Sequence, residues 1–139
     1  MPEFSKWIKF DDLSELENVG LPGIYLLGHI DGDSKYPAKP DSPNVVYIGE
    51  TTGQSLRTRI NQFSRSAFQR KNGHSGGWTY SDKFLNGIAV IETPSNLYVS
   101  VMPVQLSSIE SKAYIKYVER RAIWEYVKAN GVYPVCNSA

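Results

Sequence analysis

Apolar residues recur along this chain with two different periods. Gly23 to Ile30 (GIYLLGHI) is nearly all apolar and β-prone, and one strand long. Alternation puts Ile24, Leu26 and Ile30 on one face and Tyr25, Leu27 and His29 on the other. Val45 to Gly49 (VVYIG) predicts a second strand. Consecutive strands usually pair, so these two are expected to run antiparallel across a long connection. That connection, 31–44, is rich in Asp, Ser and Pro, and Pro37, Pro40 and Pro43 exclude a regular helix. From Leu56 the period changes. Leu56, Ile60, Phe63 and Ala67 form the stripe of a helix, with Ser55 as its N-cap. Asn72-Gly73 should stop it near Lys71. Residues 72–82 (NGHSGGWTYSD) hold three glycines and read as a loop. Phe84–Ile91 and Leu97–Val104 predict strands, the second more strongly. Ser107 and Glu110 match a capping box opening a helix to about Ala129, stopped by Asn130-Gly131. Residues 4–19 suggest a short strand or helix fragment, and the tail from Val132 reads as extended.

The chain has 139 residues, which predicts a single domain over 1–139. The lone cysteine, Cys136, excludes an intramolecular disulfide framework and a cysteine-based zinc site. A reduced, cytoplasmic setting is expected. No apolar run approaches the ~18 residues of a membrane span, and Met1–Phe10 lacks a signal-peptide layout. The net charge of +1 excludes a strongly basic DNA-coating protein but hides an asymmetry. Residues 1–50 carry four lysines against nine acids. Residues 51–81 contain no acid at all, only Arg57, Arg59, Arg65, Arg70 and Lys71. Arginine suits phosphate because its planar fork bonds two oxygens. Charge alone, however, favours a solvated helix face, and a nucleic-acid reading needs more than charge.

Some polar residues fall where apolar ones are expected. Glu119 has Ile115, Ala122 and Ile123 as its neighbours on the last helix. A carboxylate there costs free energy unless it is paired or binds a cation. Glu125, flanked by Arg121 and Lys128, reads instead as a solvated ion pair. Arg59 borders the Leu56–Phe63 stripe, either snorkelling or leaning toward the same interior edge. Tyr25 and Tyr47 suit strands by themselves, and gain weight from standing on paired strands ahead of Arg59 and Glu119. Cys136 reads as a small buried hydrophobe rather than a nucleophile.

These residues, in this order, resemble the GIY-YIG nuclease family. Gly23-Ile24-Tyr25 matches the first motif and Tyr47-Ile48-Gly49 the second. Arg59 matches the helix arginine, Glu119 in YVERRAIWEYV the metal-binding glutamate, and Asn137 in YPVCN the terminal asparagine. The match spans about residues 23–137. The resemblance implies an α+β fold, an α/β sandwich with a small central three-stranded antiparallel sheet flanked by helices. It also implies hydrolysis of DNA phosphodiesters with one Mg²⁺ or Mn²⁺ per site. In that scheme Glu119 holds the metal, Arg59 clamps the scissile phosphate and Tyr25 takes a proton from water. Tyr47 orients the water or phosphate, and Asn137 positions substrate or neighbouring side chains.

Three departures from common family patterns stand out: the long 26–46 connection, Glu50 where many members have lysine, and Phe63 where many have His or Tyr. Phe63 cannot hydrogen-bond to the base tyrosine, and His74 in the GHSGGW loop is the candidate to replace it. Arg57, Arg65, Arg70 and Lys71 are candidate DNA contacts. No separate recognition domain fits in this length, so specificity is expected from loops 31–44 and 72–82, a recognition partner or a homodimer. The competing expectation is a catalytically impaired DNA-binding module. A third, a small structural domain with chance tripeptides, predicts that Tyr25, Tyr47, Arg59 and Glu119 do not converge.

Overall fold

The structure, a computed structural model, describes residues 3–32 and 35–138. Asp33 and Ser34, in the long loop expected to contribute specificity, lie outside the described residues, as does Ala139. The elements run β1 (Ile8–Lys9), a 3₁₀ segment (Phe10–Glu15), β2 (Gly23–His29), β3 (Val45–Thr51), α1 (Leu56–Gln69), α2 (Ser75–Phe84), β4 (Leu97–Pro103) and α3 (Ser108–Asn130). The fold is α+β. Its antiparallel sheet has the order β1-β4-β2-β3, so it has four strands rather than the expected three. The extra strand is the two-residue β1, where Ile8 and Lys9 pair with Val99 and Tyr98 at the edge of β4.

The expected β2–β3 pair is present, with Tyr25 opposite Gly49 and Leu27 opposite Tyr47. On its other side β2 pairs with β4, so it is the central long strand and its residues from Gly23 to Gly28 are all buried. The period-two pattern sorts the core into two layers. Tyr25, Leu27, Val99 and Val101 pack with Leu56, Ile60, Phe63 and Ala67 of α1 and Tyr80 of α2. Ile24, Leu26, Ile48, Tyr98 and Met102 pack with Ile115, Ala122, Ile123 and Tyr126 of α3. The sheet is therefore sandwiched between α1–α2 and α3.

The predicted caps hold. Ser55 Oγ accepts from the Thr58 amide and Ser107 Oγ from that of Glu110. Gly131 ends α3 in the left-handed conformation. Helix α1 stops at Gln69, slightly before Lys71, because Arg70 itself takes the left-handed cap. Two expectations fail. Residues 72–82 are not a loop: α2 begins at Ser75. Phe84–Ile91 is not a strand, since Phe84 closes α2 and the following residues are irregular. In α2 the glycines are contact points rather than breakers. A Cβ at Gly77 would stand 2.7 Å from Phe63 O and from Ser66 Cβ of α1. The two helices can approach this closely only where one of them carries no side chain. Gly77, Tyr80, Ser81 and Phe84 recur at i, i+3, i+4 and i+7, the signal that the glycine count obscured.

The tail is held rather than simply extended. Cys136 N donates to Val46 O at 2.8 Å. Asn137 Oδ1 accepts from Ile48 N, and its Nδ2 donates to Ile48 O, both at 2.9 Å. The tail so covers part of the otherwise unpaired edge of β3.

Candidate active site

The register of β2 and β3 brings the two motif tyrosines to one face. Tyr25 crosses over Gly49 of the neighbouring strand, where a Cβ would collide with the Tyr25 ring and stand 2.6 Å from Tyr47 Cε2. On the other side Tyr47 abuts Gly76 of α2, whose Cβ would lie 2.6 Å from Tyr47 Cε1. Glycine at both positions makes room for the phenol pair, whose centroids are 5.9 Å apart. Tyr25 has no solvent exposure, whereas Tyr47 is partly exposed.

His74 is neither exposed nor in a loop. It is the N-cap of α2, 2% exposed, with its own amide donating to Ser66 Oγ of α1 at 3.1 Å. Its Nδ1 accepts from the Gly77 amide at 3.1 Å. A neutral imidazole has one donor and one acceptor nitrogen, so this cap fixes the ring proton on Nε2. Nε2 lies 2.6 Å from Tyr25 Oη and donates to it. Tyr47 stands next to Tyr25, and burial first, then Tyr47, raises the pKa of Tyr25. His74 and Tyr25 form a directed pair, whose polarity is set by one backbone amide, and Tyr47 adjoins it. Burial, helped by Arg59, pushes the His74 pKa down to about 3, so the ring stays neutral. Burial raises both phenols and Arg59 opposes it at both. Phe63 packs against Tyr47 and His74 at centroid distances of 6.3 and 5.4 Å, supplying shape where a hydrogen-bonding residue was expected.

Arg59 does lean inward. Its Nη1 donates to Gln62 Oε1 at 2.8 Å and to Gly73 O at 3.0 Å, and its charge bears on Tyr25, Tyr47 and His74. Glu119 comes from the opposite helical layer, and its charge bears on Tyr47. Burial first, then Glu50, raises the Glu119 pKa, against Lys116 and Arg120. Tyr25, Tyr47, Arg59, His74 and Glu119 therefore converge around the β3 edge. Asn137 binds the Ile48 backbone through both ends of its amide, so its place is to hold the strand that carries Tyr47.

Glu50 occupies this junction too. Its Oε1 accepts from Lys116 Nζ at 2.8 Å. Its Oε2 is buried with no hydrogen-bond partner, one of two such side-chain atoms among the described residues. Sequence reasoning weighed Glu50 but passed over Lys116, although its place one turn before Glu119 is legible. Among the described residues no group of three or more His, Cys, Asp or Glu side chains gathers to hold a metal.

The basic block is not one surface. Arg57 lies two residues, about 200° of helix, from Arg59. It lines a shallow groove with Phe10, Asp11 and Asn61. Arg70 stacks 3.9 Å over Trp78 and pairs with Asp82 at 2.9 Å. Arg65 and Lys71 are exposed. Cys136 is buried, its thiol pKa pushed up to about 12 by burial, as suits a packing residue. Among the described residues no helix is long and apolar enough to cross a membrane. Comparison with protein-family models, curated proteins and solved structures finds no match to this chain.

Proposed function

We propose that this chain is a divalent-metal-dependent DNA endonuclease of the GIY-YIG type. The observation that carries this reading is the packed cluster of His74, Tyr25 and Tyr47, with Arg59 and Glu119 both acting on the Tyr47 phenol. Their proximity supports this reading over that of a small structural domain with chance tripeptides.

Glu119 would hold the Mg²⁺ or Mn²⁺ ion. The residues fit such an ion: Glu119 is a half-buried carboxylate whose ionised form is disfavoured by burial and by Glu50, and Glu50 Oε2 is an orphaned oxygen. When bound, the ion stabilises negative charge on phosphate and leaving-group oxygens. Arg59, braced by Gln62 and Gly73, clamps a phosphate oxygen and favours the more charged transition state. Tyr25 is fully buried, so it cannot touch the attacking water. The phenol that water reaches is Tyr47, which therefore takes the role of base. Tyr25, oriented by His74 Nε2–H, packs beside it. The Arg59 charge works against a phenol pKa near 10 that burial raises further.

A supercoiled-plasmid nicking assay with Mg²⁺ or Mn²⁺ tests this. Wild type is expected to nick. Arg59→Ala, Glu119→Gln and Tyr47→Phe, each checked for folding, are expected to lose about 100-fold or more. Salt-sensitive DNA binding by a wild type that nicks with neither ion would replace this reading with that of a binding module.

A further inference from the structure

The ion pair between β3 and α3 leaves an imbalance. The imbalance is at Glu50: Lys116 bonds its Oε1 alone, whereas Lys116 and Arg120 both act on Glu119. Glu50 Oε2 is excluded from solvent and has no donor. An unsatisfied carboxylate oxygen in such a place is costly. Lys116 stands one helical turn before Glu119, so both share one face of α3. We propose that Glu50 is a second carboxylate ligand of the divalent ion, with Glu119 as the first and Lys116 as the counter-charge that holds Glu50 when the ion is absent. This rests on the nuclease reading and adds a ligand to it.

The chemistry suits a hard cation. Mg²⁺ is commonly held by one or two carboxylates, with water and substrate phosphate completing its shell. Two carboxylates on adjoining elements meet that need without the larger cluster a Ca²⁺ or Zn²⁺ site calls for. A divalent ion would also add two positive charges beside Glu50 and Glu119. That removes the repulsion that an acid after Tyr47-Ile48-Gly49 would otherwise exert on phosphate. In this arrangement Lys116 competes with the ion for Glu50.

Mn²⁺ binding without DNA, read by electron paramagnetic resonance or calorimetry, is independent of activity. Glu50→Gln and Glu119→Gln are each expected to weaken binding by at least about tenfold, the lower end for losing even an outer partner of a metal ligand. Lys116→Met is expected to bind Mn²⁺ more tightly than wild type, and it carries the test if Glu50→Gln does not fold. Wild-type affinity in Glu50→Gln with loss in Glu119→Gln would overturn the second ligand and leave the nuclease reading standing, as would weaker binding by Lys116→Met. No Mn²⁺ binding by the wild type would overturn both.

Discussion

In the folded protein the His74 imidazole stays neutral down to about pH 3, whereas in an unfolded chain it titrates near 6.5. Below pH 6.5 the unfolded chain therefore takes up a proton that the fold refuses. The stability tied to neutral His74 is whole above pH 6.5. It shrinks as pH falls toward 3, by up to about 1.4 kcal/mol per pH unit. Urea unfolding between about pH 7.5 and pH 4.5 should show wild type losing stability relative to His74→Gln. Parallel curves would mean that His74 is not held neutral. At this scale the sequence showed which residue types matter better than it showed their roles. Arg59 and Glu119 were legible from misplaced polarity, and Tyr25 and Tyr47 from their paired strands and the motif resemblance. The polarity of the His74–Tyr25 pair was not, because it depends on the Gly77 amide of a helix that the glycine-rich segment concealed.

Helix α2 shows propensity and packing pulling in opposite directions. Glycine costs a helix interior about 1 kcal/mol relative to alanine, so Gly77→Ala would stabilise an isolated α2. In the fold a Cβ there meets Phe63 O and Ser66 Cβ at 2.7 Å. Overpacking of this kind costs about 1–3 kcal/mol, and the collision is partly with backbone, which yields poorly. Gly77→Ala is therefore expected to lower stability in chemical denaturation, and a rise would show that α1 and α2 are not so closely apposed. The elements with clear periodicity, β2, β3, α1, β4 and α3, were legible to within about two residues, the usual uncertainty of helix and strand ends. Helix α2 was missed because its apolar face is built from the absence of side chains as much as from Tyr80. Residues 4–19 read as a short strand or helix fragment and hold both, β1 and the 3₁₀ segment, but that β1 joins the sheet was not legible, because a two-residue strand exists only by virtue of its partner on β4.

Across the whole molecule, the site is divided between two layers. Tyr25, Tyr47, His74 and Arg59 belong to the α1–α2 side of the sheet, Glu50, Lys116 and Glu119 to the α3 side, and they meet only around the edge of β3. The sandwich and its faces were legible, but this meeting at an edge strand was not, since strand order is set by pairing rather than by periodicity. DNA lying across this edge would reach little of the basic block, because Arg70 is already engaged by Asp82 and Trp78. The exposed Arg65 and Lys71 remain as candidate phosphate contacts. If both contact DNA, replacing them with Gln should make the slope of log affinity against log salt shallower by about 1.8. An unchanged slope would place the DNA elsewhere. The division across the sheet also has a consequence during translation. Glu119 follows Gly76 by more than forty positions, roughly 2–9 s of elongation at ordinary rates. During that interval a nascent chain can carry the phenols and the arginine, but not the α3 carboxylate. On the nuclease reading, the ribosome-bound intermediate is inert toward DNA, and cutting starts only when α3 docks on the sheet.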